Sequence, residues 1–310
     1  MPASSTRVAS LGEELAVEIS GPEGAPVILC VHGYPDNRRV WDGVAGLLDS
    51  RFRVVRYDVR GAGESSTPKD DSGFRLEALA ADLGAVAREL GGGAPVHLVG
   101  HDWGGIQAWE ALADPELAPL FASFTVISGP CLDHIGFWLR SAFAWRGLRA
   151  RLAQAARSWY AAAFHLPNAA ENAKRTILRH GAAFGMHDGS DVPPTLGDDA
   201  ARGTALYRAN MRRRLFAPLP RPIHVPVLQL VPTRDAYVTP VLAEPAERWV
   251  DELYRREIDG GHWVLRSSPD AITLHVEAFV RFIESGRTVG AGAFSRVRVR
   301  GPEPQWGDLT

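Results

Sequence analysis

Short apolar runs rich in β-branched residues recur along the chain and end near Gly, Pro or Asp. The clearest of them are PVILCV, FRVVRYDV, PVHLVG, FTVIS and VPVLQLV. A near-continuous apolar run of this length is typical of a strand that is buried on both faces of a parallel sheet. The opening VASLGEELAVEIS has Gly12 between two runs, and it predicts an antiparallel hairpin at the edge of that sheet.

Segments with helical periodicity separate the strands. In FRLEALAADLGAVAREL the apolar residues recur at three- and four-residue spacing, which places them on one face of a helix. The segment PDAITLHVEAFVRFIES predicts a final helix with Pro269 near its start. Strands that alternate with helices predict an α/β fold, with a mostly parallel central sheet and helices on both faces.

The alternation breaks between Cys131 and Pro220, where the sequence is Arg-rich and helical in pattern. We predict an inserted helical lid over residues 131–220, above the carboxyl ends of the strands, where open α/β sheets bind ligands. The core then comprises residues 1–130 and 221–285. The remaining segment, 286–310, has few core-forming residues and predicts a flexible tail.

Composition excludes several classes of protein. Apolar residues make up 45% of the chain, charged residues 23%, and the formal net charge is −2, so no nucleic-acid partner is expected. The chain has no apolar run of about 18 residues and no signal-peptide pattern, so we expect a cytoplasmic protein without a membrane span. Cys30 and Cys131 do not make a disulfide framework.

No cofactor or metal ion is expected from the motifs. Metal-ligand spacing does not appear in the sequence. The Gly-Ala-Gly at 290–292 is not a full dinucleotide fingerprint, because Ser295 stands where the third Gly belongs.

The most informative segment is VGHDWGG, in which Gly100-x-Asp102-x-Gly104 connects an expected strand to an expected helix. This is the nucleophile-elbow pattern, in which the glycines allow a sharp turn that exposes the central side chain. The helix N-terminus that follows favours negative charge. Taken alone, Asp102 could equally be a helix N-cap.

Three further segments make a catalytic role for Asp102 the better interpretation. The loop His32-Gly33-Tyr34-Pro35 can bring the Tyr34 backbone N–H beside that of Trp103, and two such donors form an oxyanion hole. Asp235 in PTRD and His262 in GGHW follow successive strands, which gives the order nucleophile, acid, base. Each alone would fit an ordinary turn or surface loop.

The segments HGYPDN, YDVRGAGESS, VGHDWGG, PTRD and GGHW resemble those of epoxide hydrolases of the α/β-hydrolase superfamily. The resemblance runs from about Val8 to Ser285. The chain particularly resembles the hydrolase half of bacterial fusion proteins in which a short-chain dehydrogenase follows the hydrolase. This resemblance implies the α/β-hydrolase fold and two lid tyrosines whose hydroxyls hold the epoxide oxygen. SWYAAAFHLP matches the first motif through Tyr160, and LYRANM matches the second through Tyr207. The alternative is that both tyrosines are helix residues facing the core.

The resemblance implies an epoxide hydrolase in which Asp102 attacks the epoxide and forms a hydroxyalkyl ester. Water activated by His262, which Asp235 orients, would then hydrolyse the ester. The expected partners are an apolar epoxide and water, and a homodimer is left open. The expectation of an apolar substrate rests on the lid aromatics Trp138, Phe143, Trp145, Trp159 and Phe164.

Two alternative functions share part of this pattern. A haloalkane dehalogenase shares the Asp nucleophile and the following Trp, but there an Asn usually stands at the position of Tyr34, and the tyrosine pair is not needed. The other is a catalytically silent scaffold that binds a ligand, which the complete set of catalytic residue types disfavours. A serine esterase does not fit, because the elbow holds no Ser.

Overall fold

The computed structural model describes residues 3–140, 148–187 and 192–297. Within them, eight strands form one sheet in the order β1-β2-β4-β3-β5-β6-β7-β8. The strands are β1 (Ser4–Ser10), β2 (Glu13–Ser20), β3 (Val27–Val31), β4 (Arg53–Tyr57), β5 (Val96–His101), β6 (Phe121–Ile127), β7 (Val227–Pro232) and β8 (Leu253–Ile258).

The sheet is mostly parallel, as predicted. β1 pairs antiparallel with β2, and β2 pairs antiparallel with β4, so the expected hairpin lies at the sheet edge. All other neighbours are parallel. Strands β3, β5, β6, β7 and β8 therefore end at the same edge of the sheet, which is where residues that follow different strands can meet.

Helices cover both faces of the sheet. They are α1 (Asp42–Leu48), α2 (Leu76–Leu90), α3 (Trp103–Ala113), α4 (Leu132–Arg140), α5 (Leu148–Arg157), α6 (Trp159–Ala163), α7 (Ala169–His180), α8 (Leu196–Phe216), α9 (Val264–Ser267) and α10 (Pro269–Glu284). The apolar stripe of α2 packs with α3 in one core cluster, and α1 packs with α10 in another. Among the described helices, none combines the length and apolar character needed to cross a membrane.

Helices α4 to α8 lie between β6 and β7, in the stretch where the sequence predicted a helical insertion. Two buried polar side chains of α8 hold this insertion against the rest of the chain. Asn210 accepts a hydrogen bond from the Leu76 N–H and donates to the Phe74 carbonyl. Asp199 accepts one from the Gly63 N–H. That the insertion acts as a lid stays a prediction.

The segment after α10 differs from the predicted flexible tail. The Phe294 ring lies 4.8 Å from that of Phe282 and packs into the core, and the Val297 N–H donates to the Leu253 carbonyl. One buried aromatic and a few backbone hydrogen bonds thus attach residues up to 297. The expectation for 298–310 falls outside the described residues.

Candidate functional site

Asp102 lies at a sharp turn between β5 and α3. Its backbone has φ 49° and ψ −120°, a left-handed conformation that a non-glycine residue rarely adopts. The turn also depends on Gly104, because a Cβ there would lie 2.1 Å from the Val31 carbonyl oxygen. This geometry matches the predicted elbow and turns the Asp102 side chain toward the sheet edge.

Two backbone amides hold the Asp102 carboxylate. The Tyr34 N–H donates to Oδ1 at 2.9 Å, and the Trp103 N–H also donates to the carboxylate. Gly33 permits this approach, since a Cβ on it would lie 2.5 Å from Oδ1. The two donors that the sequence placed together therefore do meet at Asp102.

Burial sets the ionisation of Asp102. Loss of solvent raises the pKa of its carboxyl, because burial penalises the charged form. The charge of His262 and the two amides oppose this effect, but the net direction is upward. The carboxylate is thus poorly solvated, and a poorly solvated anion is more reactive than a hydrated one.

His262 lies beside both Asp102 and Asp235. Its Nδ1 is 2.8 Å from Asp235 Oδ2, a hydrogen-bond distance, whereas its Nε2 is 3.7 Å from Asp102 Oδ2. Asp235 follows β7 and His262 follows β8, so two adjacent parallel strands deliver the pair to the sheet edge. All three side chains are buried.

The two partners have opposite pKa shifts. For Asp235, burial would raise the pKa, but the charge and hydrogen bond of His262, with hydrogen bonds from Ser128 and Val238, lower it to about 2. For His262, burial would lower the pKa, but the charges of Asp235 and Asp102 raise it. Asp235 is therefore ionised at neutral pH and stabilises a protonated His262.

Several residues that support this pair were not predicted. Ser128 Oγ donates to Asp235 Oδ2 at 2.6 Å, and the Tyr237 and Val238 amides donate to Oδ1. His101 holds the His262 backbone, with Nε2 at 2.9 Å from its carbonyl oxygen. Burial, with the nearby charge of His262, lowers the His101 pKa to about 3, so its Nε2 acts as a donor from a neutral ring.

Tyr160 of α6 and Tyr207 of α8 face each other across the site. Their ring centroids are 5.8 Å apart in an edge-on contact, and the Tyr207 ring also lies edge-on to that of Trp103, with centroids 4.8 Å apart. Burial, and to a smaller extent the charge of Asp102, raises the pKa of both phenols above 10. Both therefore remain protonated and able to donate over the ordinary pH range.

Asp102, His262 and the two tyrosines open into one cavity of about 680 Å³. Its wall is largely apolar and comes from the helical insertion, as with Ile177 of α7. Of the lid aromatics named from the sequence, Trp159 and Phe164 line it, and Trp138 does not. Phe143 and Trp145 fall outside the described residues. The size and lining suit a small-molecule ligand with one reactive group at the polar end.

Comparison with known proteins agrees with this arrangement. A protein-family model described as the alpha/beta hydrolase fold matches residues 26–269. The chain belongs to the α/β-hydrolase family.

Relatives of this α/β-hydrolase include several proteins named as epoxide hydrolases. The chain is 36% identical to the probable oxidoreductase EphD of Mycobacterium tuberculosis over 315 residues, which is 96% of this chain and 52% of that protein. It is 28% identical to mouse epoxide hydrolase 4, covering 89% of this chain and 78% of the relative. The chain thus spans about half the length of the EphD proteins it matches. The resemblance to epoxide hydrolases that the motifs indicated is confirmed.

A solved structure of an epoxide hydrolase has the same fold as this chain. It is described as a novel epoxide hydrolase from metagenomes of hot environments, and it superposes with a TM-score of 0.72 at 26% identity. The match covers 90% of this chain and 99% of that one. The predicted α/β-hydrolase fold is therefore confirmed.

Gln154 of α5 connects the insertion of this α/β-hydrolase to the loop that carries Asp235. Its Nε2 donates to the Tyr237 carbonyl at 2.7 Å, and its Oε1 accepts from the N–H and the hydroxyl of Thr239. Gln154 is buried, so these bonds are shielded from water. No sequence motif distinguished this residue.

Other chemistry finds little support in the described part of the chain. No group of three His, Cys, Asp or Glu residues there could hold a metal ion. Cys30 and Cys131 are buried, and burial raises the pKa of each thiol to about 12, so neither is a thiolate nucleophile at neutral pH.

Proposed function

We propose that this α/β-hydrolase converts apolar epoxides into vicinal diols through a covalent ester on Asp102. One observation carries the proposal: the Asp102 carboxylate, held by two amides and adjacent to His262, shares an apolar cavity with the hydroxyls of Tyr160 and Tyr207. Such a site supplies a nucleophile for carbon and an acid for oxygen, which together open an epoxide. The epoxide hydrolases among the relatives support the same substrate class.

In the first half-reaction a carboxylate oxygen of Asp102 attacks one epoxide carbon. Oδ1 is held by the Tyr34 amide, so Oδ2 is the oxygen better placed to form the new bond. As the C–O bond of the ring breaks, the alkoxide takes a proton from Tyr160 or Tyr207, whose raised pKa values keep them protonated. The product is a hydroxyalkyl ester and one tyrosinate.

In the second half-reaction water hydrolyses that ester. His262 Nε2 accepts a proton while the water oxygen attacks Asp102 Cγ, and Asp235 stabilises the resulting imidazolium. Negative charge develops on Oδ1, where the Tyr34 and Trp103 amides would each contribute about 3 kcal/mol. The bond from Cγ to Oδ2 then breaks, so the diol leaves with Oδ2. One water proton ends on the diol through His262, and the other restores the tyrosine.

The contacts of Tyr34 favour epoxide over halide chemistry. Its side chain carries no N–H, and its hydroxyl donates to the Ala200 carbonyl at 3.0 Å. Tyr34 therefore offers no side-chain N–H donor to a leaving halide. Two tyrosine hydroxyls beside the nucleophile instead suit the oxygen of an epoxide.

A single turnover in H₂¹⁸O tests the proposal. With enzyme in excess over styrene oxide, the mechanism places the heavy oxygen in Asp102 and leaves the first diol unlabelled, because that diol carries Oδ2. Mass spectrometry of the diol and of the peptide containing Asp102 measures both. Label in the first diol would show direct attack by water, and no diol from a panel of aryl and alkyl epoxides would overturn the function itself.

A further inference from the structure

Large apolar side chains lie exposed at the mouth of the cavity. Trp159 is 68% exposed and Leu166 is 63% exposed, although both also line the cavity. Leu152 of α5, in the same insertion, is 60% exposed. An exposed apolar cluster of this kind is typical of a surface that contacts something other than water.

One face of α5, next to the mouth of the cavity, is basic and amphipathic. Arg149, Leu152 and Ala156 follow one another at three- and four-residue spacing and so share one face of the helix. Ala156 lines the cavity, which places this face at the mouth, and Trp159 begins the next helix. Residues 148–170 contain three Arg and no acidic residue. Basic helices with Leu and Trp are characteristic of segments that lie in a membrane interface.

Charge is distributed unevenly over the chain, with the positive charge concentrated in the helical insertion. Residues 131–220 carry thirteen Arg and Lys but six Asp and Glu, a net charge of +7. Since the formal net charge of the chain is −2, the remainder carries −9. Such a molecule would be turned in the field of an anionic surface, with the insertion toward the surface and the rest of the molecule away from it.

We propose that the helical insertion docks on anionic membranes through the face that Arg149, Leu152 and Trp159 provide. Trp159 and Leu152 would enter the headgroup region, and Arg149 would contact lipid phosphates. The mouth of the cavity would then open at the bilayer, so an apolar molecule could enter from lipid without crossing water. Docking does not depend on the proposed function, whereas the uptake of an epoxide from the bilayer rests on it.

Flotation with lipid vesicles tests the docking. We expect the purified chain to float with vesicles of phosphatidylcholine and phosphatidylglycerol in a 7:3 ratio, to bind pure phosphatidylcholine far less, and to detach as salt is raised. The double change Arg149→Gln with Leu152→Ser should lower the partition coefficient about tenfold or more. The matched control, Leu274→Ser with Arg281→Gln, alters exposed residues on α10 and should leave binding unchanged.

The outcomes separate docking from catalysis. Both variants should hydrolyse a water-soluble epoxide at the wild-type rate, since none of the four residues lines the cavity. Absence of vesicle binding, or equal loss in both variants, would overturn the docking. Sedimentation that shows self-association lost in the α5 variant alone would instead make this face an interface between copies. Vesicle binding without any epoxide turnover would uphold docking and refute the proposed function.

Discussion

His262 Nδ1 lies 2.8 Å from Asp235 Oδ2, and this hydrogen bond leaves the other ring nitrogen, Nε2, free to act as a base. This nitrogen points to the carboxylate of Asp102 at a distance of 3.7 Å. A base in this position is not needed for alkylation, because the carboxylate attacks as an anion. It is needed for hydrolysis of the ester, because neutral water is a poor nucleophile. The two half-reactions should therefore be separable at His262.

Replacing His262 by Gln should trap the ester. The variant retains the nucleophile and the tyrosines, so it should gain the mass of one epoxide on the peptide that contains Asp102, and steady turnover should fall by at least 100-fold. Intact-protein and peptide mass spectrometry measure the adduct. Asp102→Asn is the control and should gain nothing when freshly prepared, because an amide is a weaker nucleophile. An adduct on any other residue would show that Asp102 is not the nucleophile.

The pH dependence of ester accumulation follows from His262. The imidazole accepts a proton only when neutral, and its pKa is raised above 6.5, so hydrolysis should speed up as the pH rises through that higher value. In the ester Asp102 is uncharged, which removes its share of the shift and leaves that of Asp235. We expect a larger fraction of ester at pH 6 than at pH 8.5, measured by acid quench and mass spectrometry. A fraction that grows with pH would contradict the base role.

Removing the tyrosine hydroxyls should slow alkylation rather than hydrolysis. Tyr160→Phe and Tyr207→Phe should each lower the rate of ester formation by about 10- to 100-fold, and the double variant should nearly abolish it, because no acid remains for the alkoxide. Pre-steady-state ester formation is the measurement. Tyr254→Phe removes a hydroxyl that bonds Glu252 and serves as the control. Near-normal ester formation in a folded double variant would refute the assignment.

Halide release should be negligible. Tyr34 presents no side-chain amide at the position where a dehalogenase usually holds halide, and its hydroxyl is engaged with the Ala200 carbonyl. The protein is incubated with 1-chlorobutane and with 1,2-dibromoethane, and the concentration of free halide is then measured. Release that outpaces diol formation from the best epoxide would place the chain among dehalogenases.

The sequence predicted those parts of the molecule that leave a local pattern. Buried parallel strands are recognisable as short apolar runs, and the elbow is recognisable because Gly104 must approach the backbone of β3 closely. Asp235 and His262 could be proposed as partners because parallel strands end at one edge of the sheet. In each case the residues that predict the feature are a few consecutive positions of the sequence.

The remaining features depend on contacts between distant segments. Gln154 is 83 residues from Tyr237, and Ser128 is 107 residues from Asp235, so nothing local marks either. His134 of α4 has no apolar pattern around it that predicts burial, yet it is buried and stacked on Trp249. Phe294 likewise lies in a segment of weak hydrophobic pattern and still packs into the core. Burial of a single side chain is decided by tertiary packing.

The hydrogen-bonded carboxylate of Asp235 should also contribute to stability in a pH-dependent way. Its pKa is about 2 in the folded protein, against about 3.9 for an unfolded Asp. A lowered folded pKa adds stability above the unfolded pKa, and that stability is lost as the pH falls through the folded value. The window is thus pH 4 to 2, and the contribution above it is on the order of 2 kcal/mol.

Urea unfolding at several pH values measures this contribution. Asp235→Asn should lower the free energy of unfolding at pH 7, and the deficit relative to the wild type should shrink by most of that 2 kcal/mol as the pH falls toward 2. Asp259→Asn changes an exposed carboxylate that pairs with Arg234 and is the matched control. If the deficit of Asp235→Asn stayed constant over this window, Asp235 would not be the anion that stabilises His262, and its orienting role in ester hydrolysis would lose its physical basis.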